Sequence, residues 1–217
     1  MANFRLPNGA TLSIATGFGA AKAISAFTNA DPGVMTLEAS HGIATGELFV
    51  ISNGWSRTNG RAFKAGTVST NDVPVAGLDT TSTTRYPTGG GVGTVQEITG
   101  FQQIIGVINF ASEGGEQQYT TVQELEAEDE TRLPTNRSAQ GLNLSVGDDT
   151  SLPWFDYAKE ASDSGDPTVL RLLLKNGNFI LYNGILTLNE TPSTTVNQVM
   201  ALTMTMSLQG RPVRYAS

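Results

Sequence analysis

The chain has 217 residues, 39% hydrophobic and only 15% charged, with 24 glycines, no cysteine, a net charge of −7 and a pI near 4.7. That length has room for one domain of roughly 100–200 residues plus a smaller module. Without cysteine there is no disulfide, zinc–thiolate site, iron–sulfur cluster or thiol nucleophile, and without clustered Lys and Arg there is no grip on DNA phosphates.

The surface must be finished largely by Thr, Ser, Asn, Gln and Gly, a polar but uncharged set that fits pleated sheets and turns better than helices. Residues 1–7 lack an apolar core of signal-peptide length, and no apolar run approaches the ~20 residues of a membrane span. The expectation is a chain made and folded in a cytosol. The sequons at Asn136, Asn143 and Asn189 are then chance matches.

In chain order, residues 11–16 and 22–27 read as two short strands, and Asn29-Ala30-Asp31-Pro32 breaks the chain. Residues 31–91 divide into short strand-like pieces at 34–39, 47–52, 62–68 and 73–76, closed by Thr88-Gly89-Gly90-Gly91. This reads as a small inserted barrel or hairpin module, with a larger domain formed by residues 1–30 and 92–217. The stretch 98–110 carries Ile104, Ile105, Val107, Ile108 and Phe110, dense enough for one strand covered on both sides. Residues 113–137 are polar, include the run Glu124 to Glu130, and read as a long projecting hairpin or arm. Gln140, Leu142, Leu144 and Val146 alternate with polar residues as a half-buried strand.

One helix is expected. Thr150 or Ser151 can cap it, Pro153 suits its first turn, Asp148 and Asp149 sit where the dipole favours negative charge, and Ser164-Gly165-Asp166-Pro167 ends it. Trp154, Tyr157, Ala158 and Ala161 recur at helical spacing and must pack on the sheets. Runs 168–175 and 179–188 flank Asn176-Gly177-Asn178, a hairpin signal that predicts a type I′ turn. From Met200, even positions are apolar and odd ones polar through Leu208 and Gln209, a strand with one greasy and one polar side.

Chemistry finds little purchase. His41 is the only histidine; no nucleophile or metal cluster accompanies it, and a surface or turn histidine is the plainer reading. Gly89-Gly90-Gly91-Val92-Gly93 lacks the Lys-Ser/Thr and helix of a phosphate loop. The acidic run lacks the glycine bend of a calcium loop; it reads as a solvated face or as an arm whose carboxylates meet basic residues of a neighbouring copy or line a channel that must not hold DNA. Trp55 and Trp154 read as packing residues.

The series resembles the tail tube proteins of lambda-like, long flexible-tailed bacteriophages. Trp154-Phe155, Leu170-Arg171-Leu172-Leu173-Leu174-Lys175-Asn176-Gly177 with Tyr182-Asn183-Gly184, and Leu208-Gln209-Gly210-Arg211-Pro212 carry the likeness. Within the insert, His41-Gly42-Ile43-Ala44-Thr45-Gly46-Glu47, Asn59-Gly60-Arg61, Leu78-Asp79-Thr80-Thr81 and Tyr86-Pro87-Thr88-Gly89-Gly90-Gly91 look like a small β-barrel module of ubiquitin-activating enzymes, a non-catalytic accessory there. The resemblance implies a mainly β fold, a tail-tube sandwich or barrel with one short α-helix and the inserted module. It also implies a structural virion protein of the tail, assembled in the host bacterial cytoplasm, without enzyme activity, cofactor or metal.

Six copies would join sheet edges into a ring, and stacked rings would form the conduit for DNA ejection, passing DNA without specific binding. The tape measure, terminator and tail tip proteins would be partners, and no membrane insertion is expected. Residues Glu116, Gln118, Tyr119, Glu124, Glu126, Glu128, Asp129, Glu130, Arg132 and Arg137 would form the arm between subunits or rings, with Glu124, Glu126 and Glu128 as candidate lumen-lining acids. Alternatives are a tail terminator or tube-like baseplate protein of the same lineage, a carbohydrate-binding sandwich using Trp55 and Tyr86, and an acid-pair hydrolase using the acids of the run.

Overall fold

The computed structural model describes residues 8–126 and 128–216; residues 1–7, Ala127 within the acidic run and Ser217 lie outside that description. The chain runs β1 (Thr11–Phe18), β2 (Lys22–Phe27), β3 (Val34–Leu37), β4 (Leu48–Asn53), β5 (Arg61–Lys64), β6 (Asp72–Pro74), β7 (Gly93–Ile104) and β8 (Val107–Gly114). It continues through β9 (Gln117–Val122), β10 (Thr131–Arg137), β11 (Gln140–Gly147), α1 (Pro153–Ser164), β12 (Pro167–Leu173), β13 (Phe179–Ser193), β14 (Ala201–Leu208) and β15 (Val213–Tyr215).

Alternation along β14 sets the pattern for the larger unit. Leu202, Met204 and Met206 are buried while Thr203, Thr205 and Ser207 face solvent, and β11 matches it with Leu142, Leu144 and Val146 inside. Antiparallel pairing then gives two sheets that share the long β13. The first is ordered β7–β1–β12–β13 and uses Phe179 to Ile185; the second is ordered β13–β14–β11–β8 and uses β13 from Gly184 onward. Leu12, Ile14, Leu170, Ile180 and Tyr182 from the first sheet meet Leu142, Leu144, Leu186, Met204 and Met206 from the second in one core. Helix α1 packs chiefly on β13 and adds Trp154 and Ala158 to that core.

The opposite face of the first sheet is also covered. Ala15, Ile98, Val169 and Leu181 form another core with Ala62, and Leu48, Val50 and Tyr215 pack against it. A third core, built on Phe49, Ile51, Trp55, Phe63, Val73 and Val75, fills the unit made by β3 to β6. It takes in Ile24 and Phe27 from β2 and Val95 from β7, and β7 runs on from this unit into the first sheet.

Several expectations change in detail. The 98–110 run is two strands, because the chain leaves the first sheet for the second at Ile105-Gly106, where Gly106 takes φ 84°. Ile105 and Ile108 are therefore 50% and 58% exposed rather than covered. The Asn176-Gly177 hairpin is not type I′. Gly177 alone takes positive φ (86°); its N–H donates to Leu174 O (2.9 Å) and Leu174 N–H donates to Asn178 O (2.8 Å), a three-residue loop ending in a left-handed glycine. The helix starts after Leu152 without a side-chain cap; Asp149 instead accepts from Ser151 N–H (3.1 Å) and Oγ (2.6 Å), which holds its carboxyl below the usual range. Pro153 at the helix start and left-handed Gly165 at its end are as expected.

Candidate functional site

The arm is a two-stranded hairpin, β9 against β10, in which nearly every residue is exposed. Its base is pinned by Ser138 N–H to Glu116 O (2.9 Å) and Glu116 N–H to Ser138 Oγ (3.0 Å), just after Gly114 and Gly115, both left-handed. A side chain at Gly114 would place its Cβ 2.0 Å from Ala139 O, so glycine is required where the strand bends out of the sheet. Gln118 is exposed and its carbonyl accepts from Gln117 Nε2 (3.1 Å). Tyr119 pairs with Pro134, Arg132 with Thr121 and Arg137 with Gln117.

The remaining arm acids, Glu124, Glu126, Glu128, Asp129 and Glu130, lie beyond the last pair, Val122 with Thr131. Glu124 and Glu126 flank Leu125, which is fully exposed. Residues 113–137 hold seven acids against two arginines, so they carry −5 of the chain's −7.

At the arm's base a cleft of about 580 Å³ opens between the hairpin and the C-terminal segment. Buried Ile180 and Tyr182 form its floor and half-buried Leu208 and Pro212 its apolar wall, while exposed Arg137, Arg211 and Arg214 also line it. Burial pushes the Tyr182 hydroxyl up, and nearby Arg214 pulls it the other way. Among the described residues the ion pairs are Lys22–Glu38 (3.2 Å) and Lys159–Glu190 (2.5 Å), so none of these three arginines has a carboxylate partner. Arg61 adjoins the cluster, its Nε donating to Arg211 O (2.9 Å), and burial first, with Arg211 and Arg57 adding, holds its guanidinium below the ordinary value.

The second sheet ends in two open margins. No described strand pairs with β8 on the side away from β11, or with β13 beyond Ile185 on the side away from β14. Helix α1 packs along part of the latter margin: Leu188 N–H donates to Ser162 Oγ (3.1 Å), and Lys159 pairs with Glu190 two residues further on. A groove of about 580 Å³ runs beside the bend between β7 and β8, lined by Ile105, Val107, Ile108, Phe110 and Leu172 among others.

The outward face of the same sheet has a distinct chemistry. The strand registers align Ile185, Thr187 and Asn189 with Ser207, Thr205 and Thr203, then with Gly141, Asn143 and Ser145, then with Glu113, Ala111 and Asn109, in that order. None of these twelve positions is Lys or Arg, and the single charge is the acid Glu113 at one corner. By alternation this face points away from the main core, whereas the unit of β3 to β6 packs on the far side of the first sheet.

The carbohydrate-binding reading loses its residues. Trp55 and Tyr86, the proposed sugar platforms, are 1% and 8% exposed and pack edge-on to each other at 5.2 Å, with Trp55 Nε1 donating to Pro87 O (2.8 Å). Gly91 lies under Phe27 and Trp55, where a Cβ would come within 2.5 Å of Phe27, so the glycine run serves close packing. His41 follows the turn at Ala39-Ser40 and is buried rather than on the surface, with Nε2 2.9 Å from Thr70 O and Nδ1 accepting from Ile43 N–H (3.1 Å). Among the described residues no three His, Asp or Glu side chains are grouped to hold a metal ion, and no helix is long and apolar enough to cross a membrane.

The arm was legible from composition. Sequence reasoning missed the basic cleft, because Arg137 and the pair Arg211 and Arg214 meet only through the fold. It expected open sheet edges but not which strands carry them, because a dense apolar run hides the bend at Gly106.

No curated protein matches the chain. Among solved structures it is similar to a chain in the tail of an empty gene transfer agent particle, computed with helical refinement and C6 symmetry. That likeness has 13% identity, covers 54% of this chain and 89% of the other, and has a TM-score of 0.43. A chain in the virion of a native gene transfer agent particle is similar at 12% identity, over the same shares, with a TM-score of 0.40. Residues 53–217 match the family described as phage tail tube protein, TTP. The chain belongs to the phage tail tube protein family and is a structural protein of the virion tail.

Proposed function

We propose that copies of this chain join the open margin of β8 to the open Leu186–Ser193 margin of the next copy, closing a ring whose inner wall is the second sheet. The two margins lie on different strands, so the contact is heterologous, and a ring forms when its rotation closes. Unpaired strand edges gain their hydrogen bonds on closure. The resemblance to long-tailed phage tail tubes implies six copies per ring, and stacked rings make the conduit for DNA ejection.

The observation that carries this reading is the cation-free face. DNA phosphates bind through Lys and Arg and release counterions on doing so. A wall of hydroxyls and amides with Glu113 at its corner offers no such contact, so DNA slides. On this reading the conduit runs along the sheet face, and Glu124, Glu126 and Glu128 belong to the arm, whose role is contact between copies. The unit at 31–91, with β2 and the start of β7 as its stem, then lies on the tube's outer surface, because it packs behind the first sheet. In this role the protein is non-enzymatic; the tape measure, terminator and tail tip proteins meet the ends of the tube.

The test is to put cations on the proposed wall. Thr203 and Thr205 are exposed, so Thr203→Lys/Thr205→Lys is expected to leave melting unchanged and tubes intact. The variant tubes should retain short duplex DNA at low salt and release it as salt rises, while wild-type tubes retain none. Equal DNA behaviour of the two would remove the face from the lumen.

A further inference from the structure

The arm's tip and the cleft at its base have complementary chemistry, yet they cannot meet within one copy. Hairpin strands rise about 3.3 Å per residue, so the six residues of β9 hold the tip roughly 20 Å from its own base. The tip presents Leu125, fully exposed, between Glu124 and Glu126. The cleft presents half-buried Leu208 and Pro212, over the buried Ile180 and Tyr182, beside the guanidiniums of Arg137, Arg211 and Arg214, which have no carboxylate partner among the described residues.

We propose that the Glu124-Leu125-Glu126 tip of one copy docks in the arginine-lined cleft of a second copy, with Leu125 against the apolar surface and the two carboxylates on the arginines. The inference rests on the tube reading above and supplies what that reading lacks, the receptor for the arm. Two separate patches meet, so each copy gives one tip and one cleft, and the heterologous contact repeats from copy to copy. Guanidinium–carboxylate pairs partly sheltered by a leucine are stronger than exposed pairs and fix the register of the contact. The free chain pays nothing in its own fold for keeping Leu125 in water, which is why the residue sits at a tip.

The absence of native cysteine makes a direct test possible. In the full chain, Gln123→Cys at the tip and Ala139→Cys at the cleft are both exposed changes. On mild oxidation the double variant should give a ladder of covalent multimers, and each single variant no more than a dimer. Adding Arg211→Glu/Arg214→Glu should cut the ladder at least tenfold without moving the melting temperature. Adding Glu124→Arg/Glu126→Arg to that background should restore it.

A ladder indifferent to charge reversal, or one that the swapped charges do not restore, would overturn the docking mode. Electron microscopy of the unmodified protein separates the two levels: tubes without a ladder remove the docking inference and leave the tube standing. A protein that forms neither tubes nor ladder removes both.

Discussion

Purified Ile105→Lys/Ile108→Lys protein is expected to melt where the wild type does and to form no tubes. Both isoleucines are at least half exposed, at the bend where β7 becomes β8, so their replacement changes the monomer by no more than about 0.5 kcal/mol. Their cost falls on association. Lysine on an open edge is one of the ways sheets avoid joining one another, since a neighbouring strand would have to desolvate the ammonium group. Two such charges per copy, repeated around a ring, compound the penalty at every junction. Circular dichroism melting and sedimentation velocity check the two halves of the expectation. A variant that melts normally and still assembles would show that this margin is not the lateral contact.

The largest loss of stability is expected from Trp154→Ala. The indole is fully buried in the main core where α1 packs on β13, in T-shaped contact with Phe155 at 6.0 Å, and it is the main anchor of the only helix among the described residues. Removing a buried aromatic side chain of this size costs about 3–5 kcal/mol. For a chain of this length each kcal/mol moves the midpoint by about 2–4 °C, so the melting temperature should fall by roughly 6–20 °C. Trp154 Nε1 has no hydrogen-bond partner, so the indole's polar atom adds nothing that alanine or phenylalanine would forfeit. Trp154→Phe should therefore recover most of the loss. Thermal melts of the three proteins test this, and a loss in Trp154→Ala below about 1 kcal/mol would mean that α1 is not part of the main core.

The parts of the fold that depend on local alternation were readable from the chain. Met204 and Met206 against Thr203 and Thr205 declare a half-buried strand, and Trp154 with Ala158 declares the buried side of a helix. The exposed arm follows from residues too polar to bury, above all Glu124 to Glu130. What could not be read depends on contacts distant in sequence. Ile104, Ile105, Val107 and Ile108 look like one covered strand because composition does not show that Gly106 turns the chain from one sheet to the other. The Asn-Gly pair marks a hairpin but does not choose its turn, and here Lys175 lengthens the loop so that only Gly177 is left-handed. The cap failed for a related reason: Ser151 is drawn to the Asp149 carboxylate instead of the helix N–H groups. The assembly surfaces lie partly inside the legible set. The polar face is the odd half of the β14 pattern, whereas the arginine cleft exists only once β10 and the C-terminal segment are brought side by side.

Helical reconstruction of the purified, assembled protein by cryo-electron microscopy tests the central claim most directly. The account predicts open-ended tubes in which Asn143, Thr203 and Thr205 face the axis and β8 pairs with the Leu186–Ser193 margin of the adjacent copy. Tubes in which that face points outward, or isolated rings that never stack, would contradict it.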